Sequence, residues 1–173
     1  DHREQWNKKL LETALAVVAA LAVIFVLALP FQGKQDVLWL LSKYKDTATS
    51  YHYASIEAFN LGSMLGWNWK TADTRILWMP YYQFGTWMII LSVLFSSALY
   101  FLGRKRNRGA LSLAAGLGAL LIFTFGHYMH ERYMIPALLL ILLAYLYYGD
   151  RRLLAAFGGI STTSLLNVLC AFY

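Results

Sequence analysis

The residues best suited to chemistry lie in one short run, Phe125-Gly126-His127-Tyr128-Met129-His130-Glu131-Arg132-Tyr133. Arg132 offers a planar fork of donors that matches phosphate oxygens. His130 can donate to a phosphate or move a proton near neutral pH. Glu131 can hold either side chain in place. An anion site suits these three better than a metal site does. Zinc needs three or four ligands in defined geometry. His127, His130 and Glu131 stand in the order His-x-x-His-Glu, not the His-Glu-x-x-His of zinc proteases, so no metal is expected. The purely structural alternative is a charged turn with Glu131 paired to Arg132.

The elements that hold this run follow from composition. Of 173 residues, 59% are hydrophobic and 14% charged, and the mean hydropathy is +0.48. Soluble domains average roughly 45–50% apolar and about 25% charged. This balance excludes a disordered chain, a basic and polar nucleic-acid-binding domain, and a soluble Rossmann-type or protease-type enzyme. Cys170 is the single cysteine, which excludes a disulfide scaffold. The class that survives is an integral membrane protein. Crossing the hydrocarbon takes about 20 mainly apolar residues. Five stretches are predicted as helical spans, about 10–29, 84–102, 110–127, 133–148 and 153–173. Pro30 closes the first, and Pro136 falls in the first turn of the fourth, where proline is tolerated. The expected fold is all-α, a polytopic transmembrane helical bundle forming a single membrane domain over 1–173. The chain opens on Asp1 without a signal-peptide pattern and stops at Tyr173 inside an apolar stretch. It is therefore expected to be part of a longer protein.

Orientation follows from lysine and arginine in the short loops. Loop 103–109 carries four basic residues and no acid, loop 149–152 is Gly-Asp-Arg-Arg, and the N-terminal segment adds Arg3, Lys8 and Lys9. Five alternating spans put all three on one side, expected to be the cytoplasm. Segments 32–83 and 127–132 then face the extracytoplasmic side. The net charge of +6 needs no nucleic acid to explain it.

The outer segment 32–83 is long and carries Trp39, Trp67, Trp69 and Trp78, residues that favour the headgroup level. Val37, Leu38, Leu40, Leu41 and Tyr44 share a helical face and predict a short interfacial helix. A second helical stretch is predicted from Tyr51 to Met64, ended by Gly66 and the Trp67-Asn68-Trp69 turn. On the third span, Ser112, Ala114, Ala115, Gly116, Gly118 and Ala119 form a small-residue face suited to close helix packing. Length constrains the reactive run as well. Residues 110–125 reach only about 24 Å and residues 134–148 about 22 Å as helices, short of the ~30 Å hydrocarbon. Residues 127–132 therefore belong at the interface or just beneath it. Charged groups at that level pair or face a polar cavity.

An apolar helix, then His130-Glu131-Arg132-Tyr133, then an apolar helix opening with Pro136 resembles the membrane glycosyltransferases of the GT-C fold. The nearest likeness is to the lumenal glucosyltransferases that extend the dolichol-linked oligosaccharide and to bacterial relatives of the second mannosyltransferase of GPI-anchor synthesis. A second patch, Tyr53-Ala54-Ser55-Ile56-Glu57-Ala58-Phe59-Asn60-Leu61, is similar to an outer-loop stretch of those bacterial proteins. The two patches span roughly residues 45 to 150. The resemblance implies transfer of one mannose- or glucose-class sugar from a polyprenyl-phosphate donor to an acceptor glycan or lipid, on the extracytoplasmic side and without a cofactor. It implies that His130, Glu131 and Arg132 form the donor-phosphate site, with Glu57, Asn60 and His127 around an outer pocket.

The likeness departs from the family at two positions. Glu57 stands where those relatives usually have Asn, and Gly62 where a Trp is common. The family's acidic catalytic loop has no counterpart among Asp36, Asp46, Glu57 and Asp73. No catalytic residue is therefore assigned in this chain. Alone it is expected to be inactive, with a missing N-terminal half as a partner. Two other readings compete. One is a lipid-phosphate transporter or flippase module, against which no span carries a charge at its middle and none is broken. The other is a non-catalytic membrane subunit that docks a partner through the Trp-rich outer segment.

Overall fold

The computed structural model describes residues 2–36, 38–50, 52–105 and 107–171. Of the described residues 74% are helical, and the chain divides into two units, Asp1–Tyr51 and His52–Tyr173.

The first unit holds α1 (His2–Ala28) and α2 (Trp39–Ser50). Helix α1 is apolar over most of its length, and Leu10, Leu11, Val18, Leu21 and Leu27 all stay exposed. A helix apolar all round is one that lipid covers. Pro30 sits in a 3₁₀ turn, Leu29–Phe31, that closes it. Helix α2 forms where the interfacial helix is predicted, although Val37 lies outside the described residues. The Asp36 carboxylate accepts the Leu38 N–H at 2.8 Å just ahead of it, a local turn bond that favours helix entry.

The second unit is built on α4 (Tyr81–Gly103), α5 (Ala110–Phe125), α6 (Ile135–Tyr148) and α7 (Arg151–Ala171). Helix α5 packs against both α4 and α6, and α6 packs against α7. The small-residue face of α5 explains this closeness. A Cβ at Gly116 would come within 3.0 Å of Ile141 Cδ1, and one at Gly118 within 2.6 Å of Ser96 Oγ. Ser112, Ala114, Gly116 and Gly118 are all buried. Pro136 lies in the first turn of α6, as its fixed φ allows. Among the described residues four segments are long and apolar enough to cross a membrane, Arg3–Phe31, Tyr81–Gly103, Glu131–Tyr148 and Arg151–Ala171. Helix α5 has 16 residues and reaches only about 24 Å.

The two ends of this unit differ in character. At one end Asn107 Nδ2 donates to the Tyr147 carbonyl at 3.3 Å, which brings loop 103–109 against the end of α6. Arg152 pairs there with Asp150, Nη2 to Oδ2 at 2.7 Å. The other end carries β1 (Ser55–Ile56), α3 (Leu61–Met64), β2 (Arg75–Ile76), β3 (Met79–Pro80) and β4 (Met129–His130).

Besides its short helices, the outer segment takes part in short strand pairings, β1 in parallel with β4 and β2 antiparallel with β3. One expectation needs correction. The helix predicted from Tyr51 to Met64 is reduced to Leu61–Met64, with Tyr51 outside the described residues. The physical reason is tertiary. A short isolated helix is marginal, whereas the 52–57 backbone finds partners on two sides. Ala54 N–H donates to the Lys70 carbonyl at 2.7 Å and Trp69 N–H to the Ser55 carbonyl at 2.9 Å, while β4 takes the other edge. Helix α3 begins only where Asn60 caps it, accepting the Ser63 N–H at 3.2 Å. It gives out before Gly66, which has φ +75°, a conformation glycine adopts freely.

Candidate functional site

The reactive run folds as an extended strand entering a 3₁₀ turn. His130 ends β4, and Glu131–Met134 form the turn that leads into α6. The strand is held by β1, with Ser55 opposite Met129 and Ile56 opposite His130. A further backbone bridge joins Glu57 to His130. The two sequence patches that carry the family likeness therefore meet in space.

Glu131 is the centre of the charge cluster. Its side chain is 14% exposed, and Oε1 accepts from Arg132 Nη1 at 3.1 Å. Its Oε2 lies 3.9 Å from His130 Nδ1. Burial, and then the Arg132 charge, push the His130 imidazole below its ordinary value, against a smaller opposing pull from Glu131 and Glu57. This direction favours the neutral ring and so weakens ion pairing with Glu131. The His130 ring meets Tyr133 edge-on, with centroids 5.3 Å apart. The Arg132 side chain is 59% exposed and sits 5.7 Å from the Tyr133 ring. One of its five donors serves Glu131, which orients the fork without consuming it.

Glu57 comes to this cluster through strained backbone. Its φ is +54°, a region that costs a non-glycine residue about 1 kcal/mol or more. Two bonds impose it. Ser55 Oγ, fully buried, donates to the Ala58 carbonyl at 2.6 Å, and the Glu57 N–H donates to Asn68 Oδ1 at 2.7 Å.

Asn60 is 5% exposed and does structural work. Besides capping α3, its Nδ2 donates to the Gly126 carbonyl at 3.3 Å. Tyr81, fully buried, donates to the same carbonyl at 3.2 Å. The start of the reactive run is thereby tied to α3 and to the first residue of α4. Asn60 also lines an apolar cleft of about 590 Å³ with Phe59, Leu61, Ser63, Met64, Thr124 and Phe125.

His127 stands apart from the cluster. It packs on Gly85 of α4, where a Cβ would come within 2.7 Å of its Nδ1 and 2.8 Å of its backbone nitrogen. That Nδ1 is buried and makes no hydrogen bond among the described residues. Burial pushes the His127 imidazole below its ordinary value. Among the described residues no group of three or more His, Cys, Asp or Glu could hold a metal ion.

Sequence reasoning passed over Ser55, Asn68, Tyr81 and Asn167 as builders of the site. Asn167 is 2% exposed and accepts the Phe59 N–H at 3.2 Å, so α7 also holds the loop before α3. Its signal was present, since a carboxamide within a membrane-crossing helix needs a partner. Asn68 could be noticed only as a small amide between two tryptophans, and Tyr81 lay just outside the predicted second span.

The chain matches no protein-family model, no curated protein and no solved structure.

Proposed function

We propose that this chain forms the lipid-phosphate donor site of a polyprenyl-phosphate-sugar-dependent membrane glycosyltransferase of the GT-C kind. The observation that carries the reading is the exposure of Arg132: its side chain is 59% exposed with one of its five donors on Glu131 at 3.1 Å, whereas the pair alone is also what a purely structural turn would show. A mostly buried carboxylate fixes an exposed guanidinium and leaves most of its fork open to a phosphate. The position supports it too, because the turn opens a segment long and apolar enough to cross a membrane, Glu131–Tyr148, and the end of such a segment belongs near the headgroups. The apolar cleft beside Asn60 offers room for the first part of a prenyl chain. In this reading α5 counts as a fifth, short span, and the His-Glu-Arg end faces away from the cytoplasm. The basic end with loops 103–109 and 149–152 is cytoplasmic, as the charge bias requires.

The chemistry expected of the intact enzyme is transfer of one hexose to an acceptor hydroxyl. A carboxylate outside the residues assigned here removes the hydroxyl proton. Arg132, with His130 once protonated, stabilises the charge that develops on the departing lipid phosphate.

The test is binding of undecaprenyl phosphate or dolichyl phosphate to the detergent-solubilised protein. Saturable binding is expected in the parent and a loss of about tenfold or more in the His130→Ala/Arg132→Ala double variant. Equal affinity in parent and variant removes the assignment.

A further inference from the structure

A second cleft, of about 350 Å³, lies beside the donor turn and is lined by His52, Ala72, Asp73, Tyr82 and Tyr128. Its frame is fixed by backbone. The Ala72 N–H donates to the His52 carbonyl at 2.7 Å, and the Tyr82 N–H donates to the Ala72 carbonyl at 3.0 Å. Three chain segments therefore meet at Ala72, which is 2% exposed. Tyr128 enters from the reactive run with φ +58°. A bulky aromatic residue does not adopt that conformation without cost, and such strain gathers at functional sites. The distortion sets the Tyr128 ring 6.3 Å from His52 and 4.2 Å from His127, both edge-on. The Asp73 carboxylate is exposed and lines the same cleft as Tyr128, whose phenol is pushed above its ordinary value by burial and then by the Asp73 charge. Asp73 belongs to none of the ion pairs among the described residues.

The groups around this cleft are one carboxylate, one imidazole and two phenols, a set that both accepts and donates hydrogen bonds beside aromatic surface. The Tyr82 hydroxyl accepts from Gln83 Nε2 at 3.1 Å and keeps its own proton to donate. A hydrophobic ligand would give the Asp73 carboxylate no donor, and a phosphate would meet its charge. Neighbouring hydroxyls on a saturated ring satisfy the set. The volume is at the small end of ligand sites, which suits one ring and not a chain.

We propose that this cleft is a sugar-ring subsite, in which Asp73 accepts hydrogen bonds from adjacent hydroxyls while Tyr82, Tyr128 and His52 complete the contacts. Its role as the place of the acceptor glycan rests on the glycosyl-transfer reading; its affinity for a sugar does not.

The experiment is saturation-transfer NMR on the solubilised protein with methyl α-D-mannopyranoside and methyl α-D-glucopyranoside. Undecaprenyl phosphate binding is measured in parallel. Saturable sugar binding is expected, about tenfold weaker in Asp73→Asn and in Tyr128→Phe, with lipid-phosphate affinity unchanged in both. The two variants keep side-chain shape, and lipid-phosphate binding reports that they fold. No sugar binding by a parent that binds lipid phosphate overturns the subsite and leaves the donor site standing. Sugar binding indifferent to both substitutions also overturns it, as does preference for tetramethylammonium over either sugar. Sugar binding without any lipid-phosphate binding keeps the subsite and removes the transferase reading.

Discussion

Glu57 and His130 are bridged through their backbones although they belong to separate parts of the chain, one after β1 and the other at the end of β4. The contact puts a carboxylate near an imidazole that burial and Arg132 hold below its ordinary value. The direction of change on substitution follows from charge. Removing the Glu57 carboxylate takes away a stabiliser of the protonated ring, so Glu57→Gln should lower the His130 value further. Arg132→Ala removes a repulsion and should raise it. Proton NMR titration of the His130 ring in the two variants checks both signs. An unchanged or raised value in Glu57→Gln would mean that the Glu57 charge does not act on the ring.

Asn60 and Tyr81 both donate to the Gly126 carbonyl, at 3.3 and 3.2 Å. Asn60→Ala removes that bond together with the α3 cap and should cost about 1–3 kcal/mol. Tyr81→Phe removes one bond and should cost about 0.5–1.5 kcal/mol. The effects should not add, because the carbonyl left with one donor keeps a partner in either single variant and loses both in the double. Chemical denaturation of the three variants measures the coupling. Strict additivity would show that the shared carbonyl does not link them.

Much of this arrangement is legible in the sequence, and the limits of that legibility are physical. Hydropathy marks α1, α4, α6 and α7 because each is a long apolar run. The small-residue stripe marks the packing face of α5, since Gly116 and Gly118 stand where Ile141 and Ser96 approach. The run His130-Glu131-Arg132 is readable as a cluster because its members are neighbours in the chain. What the sequence hides is the pairing of β1 with β4. Strands of two residues carry no periodicity, and their stability comes from partners far along the chain. The same cause hides Tyr128, whose left-handed backbone is imposed by its surroundings, and Asn167, whose partner is the backbone of Phe59.

His127 gives a pH dependence with a definite sign. Burial lowers its folded-state value from the ordinary 6.5, so the unfolded chain binds the proton more readily. Stability is full above 6.5 and is lost as the pH falls through that value, levelling off below the lowered folded one. His130 is shifted in the same direction and adds to the slope. The thermal midpoint in detergent should therefore fall between pH 7.5 and 5.5, and His127→Gln should flatten part of the fall. A midpoint that rises over this range would show that another group dominates.

The separation of the two ends of α4 to α7 makes sidedness testable with cysteine chemistry. Lys70 lies in the strand-bearing end and Lys105 in the basic loop, and both are exposed. Cys170 is the single native cysteine and can be replaced by serine to give a clean background. Lys70→Cys and Lys105→Cys are then introduced one at a time. Each removes one positive charge and leaves several basic residues in loops 103–109 and 149–152, so the charge bias that orients the bundle survives. In intact cells a membrane-impermeant maleimide should label the Lys70→Cys variant and spare the Lys105→Cys variant until the membrane is opened. The reverse pattern would put the His-Glu-Arg turn in the cytoplasm and remove the extracytoplasmic donor site. Labelling of both in intact cells would mean that the two ends do not lie on opposite sides of the bilayer.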